Sequence, residues 1–311
     1  MNSVVILHNH IPQNAPEDVL DILTQAKWIG QILSDKGWAV SLLPFSLHAL
    51  THIENSPVVF NLVDSAPHEE SLSYLAAGIL EHLGLRYTGC SLPTLLVTGD
   101  KQLTKALLLK SGLPTPKPYD ATDLQALYLI KATNQDASLG LDESCLVRGE
   151  DVERVLAEKQ EKLGFPLFAE QYVDGREFTV CLYGKREHPT ILPPYEWVFC
   201  EYGQRAKIIT YDAKWTEKTY GYEHIQAKYS HDEQDAALLA ELVRLSRECC
   251  KLFNLTGYAR VDFRIDAENR PYILEINANP SFYGFYHLAK EWDFSFEDLV
   301  ENLALNAAVQ R

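Results

Sequence analysis

The chain lacks any apolar run of about 18 residues, the length a membrane-crossing helix needs, so no helical span is expected. Its first ten residues, MNSVVILHNH, have neither the charged start nor the small-residue cleavage site of a signal peptide, and a soluble cytoplasmic protein is the expectation. It has no basic block either. A formal charge of -15 repels nucleic-acid backbone and anionic lipid alike, so neither is an expected partner. The six cysteines (Cys90, Cys145, Cys181, Cys200, Cys249, Cys250) show no CxxC or Cys/His metal spacing, which suits reduced, buried thiols in a reducing compartment. Internal repeats and low-complexity segments are also missing. What is present is core material: 46% of the 311 residues are hydrophobic, enough for two or three compact units.

Short apolar strands alternate with amphipathic helices at the start: strands at 4–7, 38–43 and 58–63, helices at 17–36 and 68–83, the helices closed by Gly37 and Gly84. That order predicts a parallel sheet covered on both faces. A helix at 100–111 then runs into "SGLPTPKPY", whose prolines mark a junction. Beyond it the reading is strands at 127–131 and 145–148, a helix at 152–163, and strands at 167–172 and 177–183. The last part reads as strands, a long helix at 232–253, a hairpin and a final helix at 296–308. Three units in series follow, α/β and α+β in class, with expected bounds 1–98, 99–185 and 186–311.

The hairpin "RVDFRIDAENRPYILEIN" at 260–277 places acids where a sheet does not favour them. Strand alternation sends Val261, Phe263 and Ile265 to one face and Arg260, Asp262 and Arg264 to the other, while Glu275 and Asn277 share a face. A reversal symmetric about Glu268-Asn269 sets Asp262 opposite Glu275 and Arg260 opposite Asn277. Facing carboxylates repel, and in a partly buried cleft one must take up a proton unless a cation sits between them. A divalent metal on Asp262, Glu275 and Asn277 removes the penalty, and an all-oxygen set suits Mg2+ or Mn2+ rather than zinc. Alternation alone is equally satisfied by an exposed hairpin whose acids face water and pair with Arg260 and Arg264.

With "ARVDFRID" and "YILEINANP" on the page, the chain resembles the ATP-grasp ligases, and within them the D-alanine:D-alanine ligase family, from "VVFNLVD" onward. The resemblance implies an ATP-grasp fold with a Rossmann-like N-terminal substrate domain, a central lid domain and a C-terminal mixed-sheet catalytic domain. It implies ATP and Mg2+ or Mn2+ as cofactors, with Asp262, Glu275 and Asn277 as metal ligands and Arg260 stabilising the phosphate in transfer. "TGDKQLTK" and "LIKATNQDASLGL" bring in Lys101 and Lys131 as phosphate lysines, and Ser138, Leu139 and Gly140 as main-chain phosphate donors in a closing loop. Small residues suit that loop, because amides approach a phosphate only where side chains do not intervene. "FAEQYVDGREFTV" resembles the adenine-reading linker, implying Glu170, Gln171 and Val173 at the base and Glu177 near the ribose; "YDAKW" resembles the substrate loop, with Lys214 on phosphate. The implied reaction activates a carboxylate as an acyl phosphate and joins it to an amine, forming an amide and releasing ADP and phosphate. A homodimer is implied by the family alone.

The match breaks at the substrate positions. Glu17 or Asp18 stands in for the family's N-terminal glutamate, Ala137 occupies its serine position, Trp215 its tyrosine position, and Ser281 is displaced from the serine that meets the second substrate's carboxylate. Phe282, Tyr283, Phe285, Tyr286 and Trp292 either widen the acceptor pocket or pack the last helix. The expected function is therefore ligation of other amino acids or amino-acid-like metabolites. The alternatives are D-alanine:D-alanine ligation proper, a kinase acting on a carboxylate or hydroxyl, and a non-catalytic nucleotide-binding regulator.

Overall fold

A computed structural model describes residues 2–11, 17–51, 53, 57–65 and 71–309. Strands β1 (Ser3–His8), β2 (Ala39–Pro44) and β3 (Val58–Asn61) pair in parallel in the order β2-β1-β3, as the apolar runs predict. The crossover helix α1 (Glu17–Asp35) buries Ile22, Ala26, Ile29 and Leu33, the spacing of one helical stripe. A short α2 (Leu47–Leu50) precedes β3, and α3 (Leu72–His82) and α4 (Leu92–Gly99) follow it. Asp100 then ends α4 and caps α5 (Lys101–Lys110): its carboxylate accepts from the Leu103 amide at 3.0 Å, which fixes Lys101 in the first turn.

In the central part, β4 (Leu127–Ala132), β5 (Leu146–Arg148), α6 (Val152–Leu163) and β6 (Leu167–Gln171) form an antiparallel sheet, β5-β4-β6, under one helix. Alternation along β4 buries Tyr128 and Ile130 with Val152 and Ala169, and turns Leu129 and Lys131 to the other side.

The C-terminal part adds β7 (Arg176–Lys185), β8 (His188–Ile191), β9 (Tyr195–Phe199), α7 (Tyr211–Trp215), α8 (Tyr220–His224) and β10 (Ile225–Lys228). After them come α9 (Ala236–Phe253), β11 (Gly257–Ile265), β12 (Pro271–Asn277), α10 (Tyr283–Glu291) and α11 (Phe296–Val309). The strands make one antiparallel sheet, β10-β9-β7-β11-β12, with β8 beside β7. Its back carries Phe178, Val180, Val261, Phe263 and Ile265 against Leu242, Leu245 and Cys249 of α9. β7, placed in the central unit by the expected division at 185, pairs along its length with β11. We therefore propose the boundary between the central and C-terminal units at 172–175. All six cysteines are free and five are buried, and no helix among the described residues is long and apolar enough to cross a membrane.

The hairpin pairs Asp262 with Glu275 and Arg260 with Asn277, as expected, but not by the expected symmetry. Ile265 pairs with Pro271 and Phe263 with Ile273, so the reversal centres on Glu268; a bulge at Leu274 then shifts the ladder by one residue. A bulge breaks the two-residue period. Ile273 and Ile276 can thereby both enter the core while Leu274, Glu275 and Asn277 face the cleft.

Two glycines join the N-terminal and C-terminal sheets. Gly257 has φ +70°, and a Cβ there would lie 2.6–2.9 Å from the backbone of Gly89. The next residue, Tyr258, sends its hydroxyl to the Asn61 carbonyl at 3.1 Å and to Asn279 Oδ1 at 2.8 Å. Gly257→Ala should cost about 3 kcal/mol from strain plus overlap, whereas Gly112→Ala, also at φ +70° but in open space, should cost about 1 kcal/mol. Urea unfolding of the two variants checks the difference; equal losses would mean the seam is not closely packed.

Candidate active site

The cleft between the three sheets has a cavity volume of about 930 Å3. Its floor is the front of β7, β11 and β12, where alternation sets Glu177, Thr179, Arg260, Asp262, Arg264, Glu275 and Asn277. Arg260 forks between the facing acids: its Nε and one terminal nitrogen each lie 3.0 Å from Asp262 Oδ2, and the latter is 3.9 Å from Glu275 Oε1. The Thr179 hydroxyl donates to Asp262 Oδ1 at 2.7 Å. Lys101 Nζ lies 3.8 Å from Glu275 Oε2. Burial alone would push the Glu275 carboxyl up, but Lys101, Lys131, Lys214 and Arg260 hold it well below the usual range. Asp262 moves the other way, because burial outweighs the Arg260 charge and Glu275 repels it. The cation expected between the facing acids is supplied by Arg260, with the lysines of the cleft beside it.

The donor set still fits a hard dication. Two facing carboxylates and the Asn277 amide oxygen are all-oxygen donors. Asn277 Oδ1 accepts one bond, from the Asn279 amide at 2.9 Å, and so keeps a lone pair. Among the described residues no cluster of three His, Cys, Asp or Glu side chains suits a metal ion, so the amide is needed to complete the set.

The roof supplies the remaining cations. Lys131 Nζ lies 3.0 Å from Glu170 Oε1, and Lys105, a residue not singled out from sequence, lies 2.5 Å from Glu170 Oε2. All three are nearly buried. Burial pulls the Lys105 ammonium down; Glu170, despite its own burial, is drawn below the carboxylate range by Lys105 and Lys131. The 2.5 Å contact marks Lys105 and Glu170 as an ion pair, both partners charged. The signal in the sequence was "KQLTK": Lys101 and Lys105 lie four apart on the face of α5 that also buries Leu108.

Lys101 Nζ meets the closing loop, at 2.7 Å from the Gln135 carbonyl and 3.1 Å from Asp136 Oδ1. Ser138 (φ 61°) lines the cleft and donates to the Ile209 carbonyl at 2.8 Å. Leu139 lines it too, but its amide is spent on the Asp136 carbonyl at 3.1 Å. Gly140 turns away from the cleft against Leu163 and Phe165, and its φ of +73° together with a Cβ only 2.8 Å from Leu163 explains the glycine. At the linker, Gln171 and Val173 line the cavity, with the Gln171 amide already donated to Lys117 O at 2.8 Å. Glu177 lies 3.5 Å from Arg264, and burial raises its carboxyl. "YDAKW" is helical, capped by Thr210. It presents Lys214 and Trp215 to the cleft; Lys214 is exposed, makes no ion pair among the described residues, and its ammonium is pulled down by desolvation in the cleft and then by Arg260.

At the substrate positions, the side chains of Glu17 and Asp18 lie outside the described residues. Ala137 and Ser281 line the cleft. Of the aromatics, Phe282 and Phe285 are core residues and Tyr283 alone lines the cavity. Two further acids were missed. Asp21 sits one helical turn before Gln25 on the cleft side of α1, and Asp64 follows β3, at the carboxyl end of a parallel strand where ligands of open α/β sheets gather. Burial, then Asp136, pushes Asp64 up to about 7.

A family model described as "D-ala D-ala ligase C-terminus" matches residues 123–304. The chain belongs to the D-alanine–D-alanine ligase family. Among relatives, the uncharacterized protein y4sG of Sinorhizobium fredii is 30% identical over 72% of this chain and 66% of its own length. A D-alanine–D-alanine ligase of Moorella thermoacetica is 29% identical over 88% of this chain and 90% of that protein. Among solved structures, the D-alanine–D-alanine ligase of Bacillus anthracis superposes with a TM-score of 0.75 at 16% identity, covering 99% of this chain and 98% of that one; it has also been solved with ATP. The ATP-grasp ligase fold expected from sequence is therefore the fold of this family member.

Breaking a buried ion pair costs about 3–5 kcal/mol, so Lys105→Met should lower stability by about 3 kcal/mol at neutral pH. Since Glu170 is depressed below its ordinary 4.5, its contribution is complete above that pH and is lost as acid protonates it. The gap between wild type and Lys105→Met should thus close below about pH 4; a gap that stays constant in acid-denaturation curves would contradict the assignment.

Proposed function

We propose that this protein is an ATP-dependent ligase that joins the carboxylate of one amino-acid-like substrate to the amine of another. The observation that carries the reading is the hairpin, where Asp262, Glu275 and Asn277 offer oxygen donors beside an arginine fork, facing Lys101, Lys131 and Lys214 across the cleft. A carboxylate does not condense with an amine unaided, because hydroxide is a poor leaving group. In the first half-reaction a substrate carboxylate oxygen attacks the γ-phosphorus of ATP, and ADP leaves. In the second, the amine attacks the acyl carbon, phosphate departs with the bonding pair, and the nitrogen loses a proton.

In this reading Asp262, Glu275 and Asn277 hold Mg2+ or Mn2+, which neutralises phosphate charge when bound. Lys101, Lys131, Lys214 and Arg260 neutralise the phosphate oxygens as charge redistributes. Lys101 must exchange Asp136 for phosphate, which couples nucleotide arrival to movement of the 133–140 loop. That loop, with Ser138 and Leu139 at the cleft, excludes water from the acyl phosphate. Glu170, Gln171 and Val173 flank the base, where Glu170 acts by fixing Lys105 and Lys131, and Glu177 lies near the ribose. Trp215 and Ser281 border the substrates. A kinase would stop at the first half-reaction and a regulator before it; the arginine fork favours turnover, because a binder needs no such charge clamp.

Phosphate release with pairs of amino acids, combined with mass spectrometry for a dehydrated conjugate, tests the ligase reading. For Arg260→Ala, turnover should fall about 100- to 1,000-fold, with a smaller drop in melting temperature than for Lys105→Met. Parallel loss of fold and turnover would make Arg260 structural.

A further inference from the structure

We infer that the end of the cleft beyond the acid hairpin is a subsite for the cationic end of an elongated amino-acid substrate, held by Asp21 at the head of an aromatic wall. The inference rests on the ligase reading and adds a substrate class to it.

The wall is continuous. Trp197 donates from Nε1 to Thr179 Oγ1 at 3.2 Å, and Thr179 in turn holds Asp262, so the inner end of the wall touches the hairpin. From there the rings follow at contact spacing: Trp197 to Tyr195 at 5.6 Å, Tyr195 to Tyr229 at 5.3 Å, Tyr229 to His287 at 6.4 Å, and His287 to Tyr283 at 6.5 Å between centroids. All five side chains line the cavity, and so does Asp21. Tyr283 lies beside Asp21, near enough for each to shift the other's ionisation, which sets the carboxylate at the outer end.

Asp21 is fixed and only partly satisfied. Gln25 Nε2 donates to Asp21 Oδ2 at 2.7 Å, and Gln25 is itself oriented by the Phe282 amide, which donates to its Oε1 at 2.8 Å. A carboxylate accepts about four hydrogen bonds, so room for roughly two donors remains. No lysine or arginine among the described residues forms an ion pair with Asp21, although the acids of the hairpin and roof all have one. A second acid, Glu291, lies close enough to Tyr229 to raise its hydroxyl. Arg260 reaches the wall only at its inner end, by Tyr195 and Cys181.

An aromatic wall ending in a carboxylate is the chemistry that recognises an ammonium or guanidinium, through ring faces along the stem and an ion pair at the tip. An amino acid with only a methyl side chain would leave this end empty. The wall suits a linear side chain of several methylenes.

The test uses the whole protein with Mg2+ and ATP. Phosphate release and conjugate mass are measured for lysine, ornithine and arginine against the neutral matches norleucine and citrulline, in both chiral forms, each paired with alanine. Binding of the same amino acids is measured by calorimetry with a non-hydrolysable ATP analogue. The expected result is that a cationic substrate has a KM at least tenfold below its neutral match. Asp21→Asn should raise that KM about ten- to a hundredfold, leave the neutral KM and the ATP KM unchanged, and keep the wild-type melting temperature. Tyr283→Phe, which preserves the ring, should give a smaller change in the same direction. Equal KM values for lysine and norleucine, a preference that survives Asp21→Asn, or no binding of any cationic amino acid overturns the subsite. Conjugates formed only from neutral amino acids overturn the subsite and leave the ligase reading standing. Asp21-dependent lysine binding without any conjugate supports the subsite and removes the ligase reading.

Discussion

Arg260 lying across Asp262 and Glu275 is the contact on which the site depends, because it lets two carboxylates face each other in a sheet without a metal. A guanidinium serves where an ammonium would not: its planar fork reaches both acids and its charge does not titrate. The consequence is a cleft that folds in its charged form. Its acids and cations neutralise one another: Arg260 lies against Asp262 and Glu275, and Lys101 against Glu275. In the proposed ligase reading Asp262, Glu275 and Asn277 would hold the dication and supply its charge to the phosphates, while Arg260 and Lys101 would turn from the acids to phosphate oxygens, an exchange of partners that leaves no charge uncompensated.

The scaffold owes that arrangement to one irregularity. Had β12 kept a strict two-residue period, Ile273 and Glu275 would share a face, and either the isoleucine would enter the cleft or the acid would enter the core. The bulge at Leu274 resolves the conflict. Lys105 then adds a tie, donating to the Leu274 carbonyl at 2.9 Å, so the bulge and the lysine cluster above it are joined. Thr115, which accepts from the same ammonium at 3.2 Å and donates to the Ile273 carbonyl at 2.7 Å, closes the small network.

Much of this was legible in the sequence, and the illegible part has physical causes. Continuous apolar runs named the parallel sheet, since strands buried on both faces need them. The facing of Asp262 and Glu275 was also foreseen, though a symmetric turn was credited with what an off-centre turn and a bulge do together, and neither leaves a mark in one sequence. Lys105 was passed over because a lysine in a helix is ordinarily solvated; only its place among buried positions separates it from that background. The short helix of "YDAKW" escaped because short elements carry little periodic signal. Asp21 was passed over because an acid on a helix is ordinarily solvated; the side chains of Glu17 and Asp18, the acids singled out from sequence, lie outside the described residues.

The two ends of the cleft differ in how much they can yield. At one end, Glu170 is clamped by Lys105 and Lys131 with little solvent access, which holds both lysines in place. At the other end Asp21 faces aromatic rings and the Gln25 amide, and among the described residues no lysine or arginine forms an ion pair with it. A charge left in that condition weakens the empty fold slightly, and folding alone gives no reason for it beside an otherwise apolar stripe of α1. A ligand does. If the proposed reading holds, the nucleotide half of the site is compensated internally and suits a constant cosubstrate, while the substrate half has its electrostatics completed by what it binds, so that a shared ligase fold could be turned to a different amino acid without disturbing ATP.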